Sequence, residues 1–302
     1  MPAISKMTGA VSCLTLIILS SPSLAAVLPQ NGPSLTVRDD SSPLRPIEGD
    51  HAQALEFKFQ PLLDFDTDSC YNVPAIDPDG NISEGLEPTG DVSKCRQASV
   101  LDNSNVYVRG RCNRGWCAFV YSYFFQMDWA AGWPFGKWNH RYDWENVIVW
   151  AKQGEPQSVA VSCHGDYTSR EVMNVFMAQS PAEFPLPNWD WLPADTPTHP
   201  KVVFHKDGLR THCFRFASGS DEPVENDKGV WIRGGLLGWT GYKVELRDKL
   251  TAFDFGGAHL AWHTEDDFTK QLVKSMPQAA RDDEFDCAYD DYAEFPGIPK
   301  QD

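Results

Sequence analysis

The chain has 302 residues, of which 42% are hydrophobic, and this composition supplies a core for one large domain or two small ones. Its formal net charge of -16 argues against nucleic-acid binding and against nonspecific adhesion to anionic lipid, since both require a basic surface. The same charge is compatible with a secreted protein that binds cations or neutral sugars.

The N-terminus has the features of a secretory signal. Lys6 precedes a short apolar run, residues 11–19, which is too short to span a bilayer. Ser23-Leu24-Ala25 offers a small-x-small cleavage site, so residues 1–25 are predicted to be a signal peptide. Residues 26–52 are rich in Pro, Ser and Asp and are expected to be a flexible or processed leader. One domain, residues 53–302, follows in a secreted, extracellular protein.

Cysteine usage agrees with export. Cys13 leaves with the signal peptide, and seven cysteines remain for an oxidising compartment. The expected local pairings are Cys70 with Cys95 and Cys112 with Cys117, each worth about 2–4 kcal/mol. For the last pairing the sequence leaves two alternatives open, and one thiol stays unpaired in either: Cys213 with Cys163, or Cys213 with Cys287.

Short apolar runs separated by Gly, Pro, Asn and Asp predict strands along most of the domain. One helix is expected late in the chain, where Thr264 and Asp267 form a capping box and Phe268, Leu272 and Met276 repeat at helical spacing. The sequence therefore predicts a mainly β fold, a single-domain β-sandwich with peripheral helices. The predicted strands are residues 106–108, 117–125, 146–150, 158–161, 201–204 and 213–216.

A polar segment leads directly into a buried strand at residues 139–150. Asp143 and Glu145 lie two residues apart, so in an extended chain their carboxylates share one face. His140 is an odd number of residues from both acids, so in a flat strand its side chain points to the opposite face. It joins them only if the chain turns between residues 140 and 142. Two carboxylates and one imidazole suit Ca²⁺, Mg²⁺ or Mn²⁺. The alternative is a structural salt bridge from Arg141 to one of the acids.

Two other acidic runs are weaker metal candidates. Residues 77–83 begin like a calcium loop, but the glycine falls at the fourth position and Pro88 stands where the last glutamate belongs. Asp64, Asp66 and Asp68 alternate on one face, and a solvated acidic turn is the better interpretation.

The remaining polar candidates carry little specific signal. Asn81 begins a glycosylation sequon and is a candidate N-glycosylation site in a secreted chain. Four histidines lack ligand spacing and are expected to be structural: His205, His212, His259 and His263.

The segment from His140 to Trp150 resembles the signature Gly-His-Arg-His-Asp-Trp-Glu of the necrosis-inducing protein family, the necrosis- and ethylene-inducing peptide 1-like proteins that plant-associated microbes secrete. Further similar segments occur in the family's order between residues 57 and 260. The number of cysteines resembles the family's cysteine-rich branch. These segments are residues 59–62, 74–86, 121–125 and 162–167.

The resemblance implies a cytolysin- or lectin-like β-sandwich and no enzymatic activity. It implies a divalent cation, Ca or Mg foremost and Mn as a further option, in an acidic cavity. The cation helps the protein bind sugar head groups of plant glycosylated inositol phosphoceramides in the outer leaflet of the plasma membrane. Membrane damage, necrosis and recognition by plant immune receptors follow. The implied metal ligands are Asp128, His140, Asp143 and Glu145, and the implied cavity and motif residues are Arg141, Tyr142, Trp144 and His164.

Three departures from the family pattern bear on activity. Asn139 replaces the leading glycine, whose freedom to adopt positive φ is lost, and Tyr142 replaces the second histidine. The connection between Asp128 and His140 is longer than usual and carries three tryptophans, which are candidate sugar or membrane contacts or, alternatively, packing residues. They are Trp129, Trp133 and Trp138.

Three functions are therefore compared. The first is a secreted, cation-dependent cytolysin and virulence effector that recognises plant sphingolipid sugars. The second, prompted by Tyr142 and the altered loop, is a non-cytolytic lectin-like effector or immune elicitor with the same cavity. The third and weakest is a metal-dependent hydrolase in which Asp143 or Glu145 acts as general base for a metal-bound water.

Overall fold

Two β-sheets packed face to face form the core of the computed structural model, which describes residues 42–49, 51–130, 138–178 and 197–290. The strands are β1 (Leu62–Phe65), β2 (Asn105–Asn113), β3 (Trp116–Asp128), β4 (His140–Lys152), β5 (Glu155–Cys163), β6 (Asp166–Glu171), β7 (Met177–Ala178), β8 (His199–Lys206), β9 (His212–Phe216) and β10 (Gly235–Gly238). The helices are α1 (Ala54–Lys58), α2 (Val244–Ala252), α3 (Glu265–Ser275) and α4 (Gln278–Asp282).

The larger sheet has six strands in the order β10-β2-β3-β4-β5-β6. Its neighbours run antiparallel except for β10 and β2, which are parallel. The smaller sheet is built around β8, which pairs in parallel with β1 and antiparallel with β7 and β9. The predicted mainly β sandwich with peripheral helices is confirmed.

Alternation along β3 explains how the layers pack, because successive side chains of a strand point to opposite faces. Phe125 stacks on Phe204 of the smaller sheet, with ring centroids 3.8 Å apart. Phe124 points the other way and packs against Phe255, in the segment after α2, at 5.5 Å. Each such aromatic pair adds about 0.5–1.5 kcal/mol beyond its buried area.

Helix α3 begins where the capping box predicts. The Thr264 hydroxyl accepts a hydrogen bond from the Asp267 amide at 3.1 Å and donates to the Asp267 carboxylate at 2.6 Å. Phe268 and Leu272 are buried, as the helical spacing predicts. The indole of Trp150 donates to Ser275 at 3.2 Å, which anchors the helix on β4.

The boundary of the leader needs correction within its described part. Leu44 is buried, and its carbonyl accepts a hydrogen bond from the side chain of Asn103 at 2.8 Å. The Ile47 amide donates to Asn105, and His51 bridges to β10. These contacts place residues 42–49 and 51–52 on the folded domain. The predicted signal peptide, residues 1–25, and leader residues 26–41 and 50 lie outside the described residues.

Three disulfides join six of the seven cysteines that the structure describes. Cys70 pairs with Cys95 and Cys112 with Cys117. Cys163 at the end of β5 pairs with Cys213 in β9, so the alternative partner Cys287 is left as a buried free thiol among the described cysteines.

The described part of the chain contains no helix that is both long and apolar enough to cross a membrane.

Gly85 marks a close approach to the polar end of β4, and we expect Gly85→Ala to destabilise the fold. A β-carbon there would lie 2.7 Å from the Gln126 carbonyl and 2.8 Å from the Tyr142 ring, at a φ of +68°. Strain plus overpacking predicts a loss of about 2–4 kcal/mol in the free energy of unfolding. Urea denaturation measures it. Gly115→Ala is the matched control, because its φ is +76° with nothing within 4 Å. Equal losses in both variants would show that the contacts at Gly85 do not matter.

Candidate functional site

The carboxylates of the polar segment line one cavity of about 400 Å³ between the sheets. Strand pairing places Asp143 opposite Phe125 and Glu145 opposite Tyr123, so both acids project from the face that meets the smaller sheet. Both side chains are buried. Their shared face is the one that the spacing of two residues predicts.

A left-handed residue supplies the turn that His140 needs. Tyr142 has a φ of +65°, which interrupts the alternation of β4. As a result, one ligand atom each from Asp128, His140 and Asp143 lies within 4.8 Å of the other two. His140 Nδ1 donates to the Tyr142 carbonyl at 2.6 Å, since a carbonyl only accepts, and this leaves Nε2 with its lone pair.

The positive φ therefore falls at Tyr142 and not at Asn139, where the family's glycine was expected to matter. The Asn139 side chain instead fixes the end of the connecting segment. It accepts from the Ala130 amide at 2.7 Å and donates to the Pro88 carbonyl at 3.1 Å. Asparagine at this position is a structural residue.

His212 joins the site, although its lack of ligand spacing predicted only a structural role. Its Nδ1 and its amide donate to the two oxygens of Asp128 at 2.6 and 2.8 Å, and its Nε2 contacts Asp68 at 3.2 Å. Burial would lower the pKa of His212, but hydrogen bonds to Asp128 and Asp68 outweigh burial and raise it to about 9. A buried imidazolium thus holds Asp128 in place and balances one of the negative charges.

The two acids of β4 resist ionisation. Burial, followed by the charge of Asp128, raises the pKa of Asp143 to about 7. Burial and the charge of Asp143 raise the pKa of Glu145 well above its usual value, against a short hydrogen bond from Ser162. Perturbed carboxyls gathered in a cavity are typical of a functional site.

A divalent cation fits this donor set. Asp143 Oδ2 is buried without a hydrogen-bond partner among the described residues, and such an atom carries a large desolvation cost unless a cation or proton meets it. Two carboxylates and one imidazole favour Ca²⁺, Mg²⁺ or Mn²⁺. Glu145 lines the cavity but lies outside the group of three and accepts from Ser162, so its predicted place as a direct ligand stays a proposal.

His164 lines the same cavity, as the family pattern implies. It has a φ of +53°, and its Nε2 contacts Asp207 at 3.1 Å. It also lies near Cys163 and Cys213 in a group with metal-ligand geometry. The disulfide between the two cysteines removes both thiolates, so this group is not a metal site.

The other motif residues support the turn and the core. Arg141 pairs with Glu87 and donates to the Glu84 carbonyl, so the alternative salt bridge to Asp143 or Glu145 is wrong. Tyr142 is half-buried and packs against Phe124, Phe253 and Phe255. Trp144 is buried against Tyr107, Phe124 and Phe255.

The three tryptophans differ in their surroundings. Trp129 donates to the Asp68 carbonyl at 3.0 Å, and the ammonium of Lys206 lies 2.8 Å from its ring centroid. These contacts favour packing for the half-buried Trp129, whose sugar or membrane contact stays a prediction. Trp138 is 40% exposed and stays a predicted sugar or membrane contact. Trp133 lies outside the described residues.

The weaker acidic candidates have structural partners. Asp64 accepts from the amides of Glu225 and Asn226, and Asp66 lies 3.6 Å from Arg215. The carboxylate of Asp77 accepts from the Asp79 and Asn81 amides, which is a local turn and not a calcium loop.

Asn81 remains a predicted glycosylation site, although the amide to which a glycan would attach already makes a hydrogen bond. Its side chain is half-buried and donates to Asp77 at 2.8 Å.

Solved structures with a similar fold match most of this chain. A structure described as "Toxin fold for microbial attack and plant defense" matches with a TM-score of 0.57 and 26% identity, covering 80% of this chain and 99% of that one. "NLPPya in complex with glucosamine" matches with a TM-score of 0.54 and 26% identity, covering 81% and 97%.

The sequence matches the model of the Necrosis inducing protein (NPP1) family over residues 53–275, and the chain belongs to this family. "NLP effector protein 10" of Phytophthora capsici is 29% identical over 75% of this chain and 85% of its own length. "Necrosis-inducing protein NPP1" of Phytophthora nicotianae is 37% identical over 115 residues, which span 46% of that relative's length. The family is one of toxin-fold effectors, so the predicted family is confirmed.

Cation binding is expected to release protons. Because Asp143 has a pKa of about 7 and that of Glu145 is raised, the cation-free pair holds protons at neutral pH that a cation must displace. We expect about one proton released per Ca²⁺ at pH 7 and an apparent affinity that rises from pH 6 to pH 8. Isothermal titration calorimetry in buffers of different ionisation enthalpy counts the protons. A binding enthalpy independent of the buffer would contradict this expectation.

Proposed function

We propose that this chain is a secreted, cation-dependent cytolysin and virulence effector that binds sugar head groups of plant glycosylated inositol phosphoceramides and damages the plasma membrane. Residues 1–25 direct export. Asp128, His140 and Asp143 hold the cation, with Glu145 and His164 beside it. The cavity has a binding role and not a hydrolytic one.

The observation that carries the proposal is the group formed by Asp128, His140 and Asp143, with the buried Oδ2 of Asp143, which has no hydrogen-bond partner within the described ranges. A cation in this cavity neutralises the carboxylates, and its open coordination positions suit sugar hydroxyls. His212 and the Tyr142 carbonyl orient two of the ligands. The glucosamine and mannosamine complexes of NLPPya support a sugar as the ligand.

Dye leakage from vesicles tests the proposal. Vesicles of phosphatidylcholine with plant glycosylated inositol phosphoceramide are compared with phosphatidylcholine alone, with Ca²⁺ or with a chelator. We expect leakage only where both the sphingolipid and Ca²⁺ are present. Leakage that persists in the chelator would refute the role of the cation, and intact vesicles despite a folded protein would refute lysis.

The alternative is a non-cytolytic, lectin-like effector or immune elicitor with the same cavity. It is favoured by Trp129, whose half-buried ring is engaged by Asp68 and Lys206 and so offers less surface for membrane contact. Co-sedimentation with the same vesicles separates the two functions. Cation-dependent binding without leakage supports the alternative, and recognition by plant immune receptors then becomes the main consequence.

A further inference from the structure

A second cavity, of about 480 Å³, adjoins the one lined by Asp128, His140 and Asp143, which is called the cation cavity below. Its walls come from residues 252–263 and from helix α3. The two cavities share Ala258, His259 and Gln271, so they meet along one wall. Its volume lies within the range of about 300–1,000 Å³ that small-molecule sites occupy. The proposed function gives this second cavity no role.

An aromatic ring forms the apolar part of the second cavity. Phe253 is half-buried and meets Phe255 edge-on, with ring centroids 4.7 Å apart. It also meets Tyr142 edge-on at 6.1 Å. These neighbours fix the ring, so it loses little conformational entropy when a ligand covers it. A fixed, partly exposed ring suits the apolar face of a sugar.

Hydrogen-bonding groups complete the cavity. Gln271 accepts from the hydroxyl of Tyr167 through Oε1 at 3.1 Å, which orients its amide and leaves Nε2 as a donor without a partner in the described part of the chain. His259 and His263 are exposed and offer ring nitrogens that donate or accept. A few fixed polar groups around an apolar surface are what a site for a hydroxylated ligand requires.

The charge of the walls limits the ligand class. Asp254 and Asp267 are the acidic residues that line the second cavity, and its described lining includes no lysine or arginine. Asp267 is already engaged by Thr264 and Lys270. The walls therefore disfavour a phosphate or an acidic sugar and suit a neutral or amino sugar.

We propose that the second cavity is a further sugar subsite, so that this chain binds a glycan of at least two linked sugars. One sugar lies at the cation cavity, and the next crosses the shared wall at His259 and Gln271 and stacks on Phe253. This inference rests on the proposed function, because the first sugar is held at the cation.

Calorimetric titration with glucosamine and with a panel of its 1,4- and 1,6-linked disaccharides, all in saturating Ca²⁺, tests the inference. We expect one or more disaccharides to bind about tenfold tighter than glucosamine, the gain typical of one stacked ring with a hydrogen bond. Wild-type protein that binds every disaccharide no tighter than glucosamine overturns the second subsite and leaves the proposed function standing. Folded protein that binds neither sugar overturns both.

Two variants test whether the tighter binding of disaccharides arises at the second cavity. Phe253→Leu removes the ring, and His263→Ala removes an exposed group that lines only the second cavity. We expect each to lose most of the disaccharide's advantage. His263→Ala, whose side chain lines only the second cavity, should bind glucosamine as wild type does. His51→Ala, an exposed change that lines neither cavity, should keep the advantage. Equal weakening of both sugars in His263→Ala would place the effect at the cation cavity and refute the subsite.

Discussion

Asp143→Asn is expected to abolish cation binding while making the cation-free protein more stable. The change removes the proposed ligand whose Oδ2 has no other partner among the described residues, and we expect Ca²⁺ affinity to fall by about 100-fold or more, since losing even an outer hydrogen-bond partner costs about 10–100-fold. Vesicle leakage should fall with it. Calorimetric Ca²⁺ titration and dye release measure the two effects.

The stability gain follows from the sign of the pKa shift. Folding raises the pKa of Asp143 from 3.8 to about 7, so the ionised carboxylate costs stability that grows as pH rises from 3.8 to about 7 and is then constant. At pH 8 without cation, Asp143→Asn should gain about 1–3 kcal/mol by urea denaturation. Asp79→Asn makes the same chemical change at an exposed carboxylate and should alter neither property. A destabilised Asp143→Asn would refute the electrostatic account.

His212→Ala is expected to be the most destabilising single change at the site. It leaves Asp128 buried beside Asp143 without its cationic partner, and breaking a buried pair costs about 3–5 kcal/mol. Chemical denaturation at pH 6 in a chelator measures the loss. His51→Ala, at an exposed histidine, is the control.

The pH dependence distinguishes a lost charge from a lost contact. Because the folded-state pKa of His212 is raised from 6.5 to about 9, the stability it contributes is fully present below pH 6.5 and is lost as pH rises through about 9. The difference between wild type and His212→Ala should therefore shrink between pH 6.5 and pH 9. A constant difference would show that packing, and not charge, is the reason.

Local signals in the sequence predicted much of the fold. Apolar runs predicted parts of β2, β3, β4, β5, β8 and β9 but missed the short or polar strands β1, β6, β7 and β10. Thr264 with Asp267 predicted the start of α3. The spacing of Asp143 and Glu145 gave their common face, because strand alternation depends only on neighbouring residues.

The rest of the site depends on contacts that no local pattern encodes. His212 meets Asp128 from 84 residues away and Asp68 from 144 residues away. The left-handed conformation of Tyr142 is set by its packing and not by its residue type. Strand alternation alone therefore could not predict whether His140 joins the acids. Cys163 and Cys213 are 50 residues apart, and only the approach of β5 to β9 selects their pairing over Cys287.

The disulfide between Cys163 and Cys213 ties the larger sheet to the smaller one beside the cavity. Each of these cysteines is adjacent in the sequence to a histidine that lines the cavity. These histidines are His164 and His212. In a reducing compartment such as a cytosol, both cysteines stay reduced and the disulfide does not form. Without the disulfide, the two strands that carry these histidines are joined covalently only through the chain between them. Reduction of this one bond is therefore expected to loosen the cavity without changing any of its carboxylates.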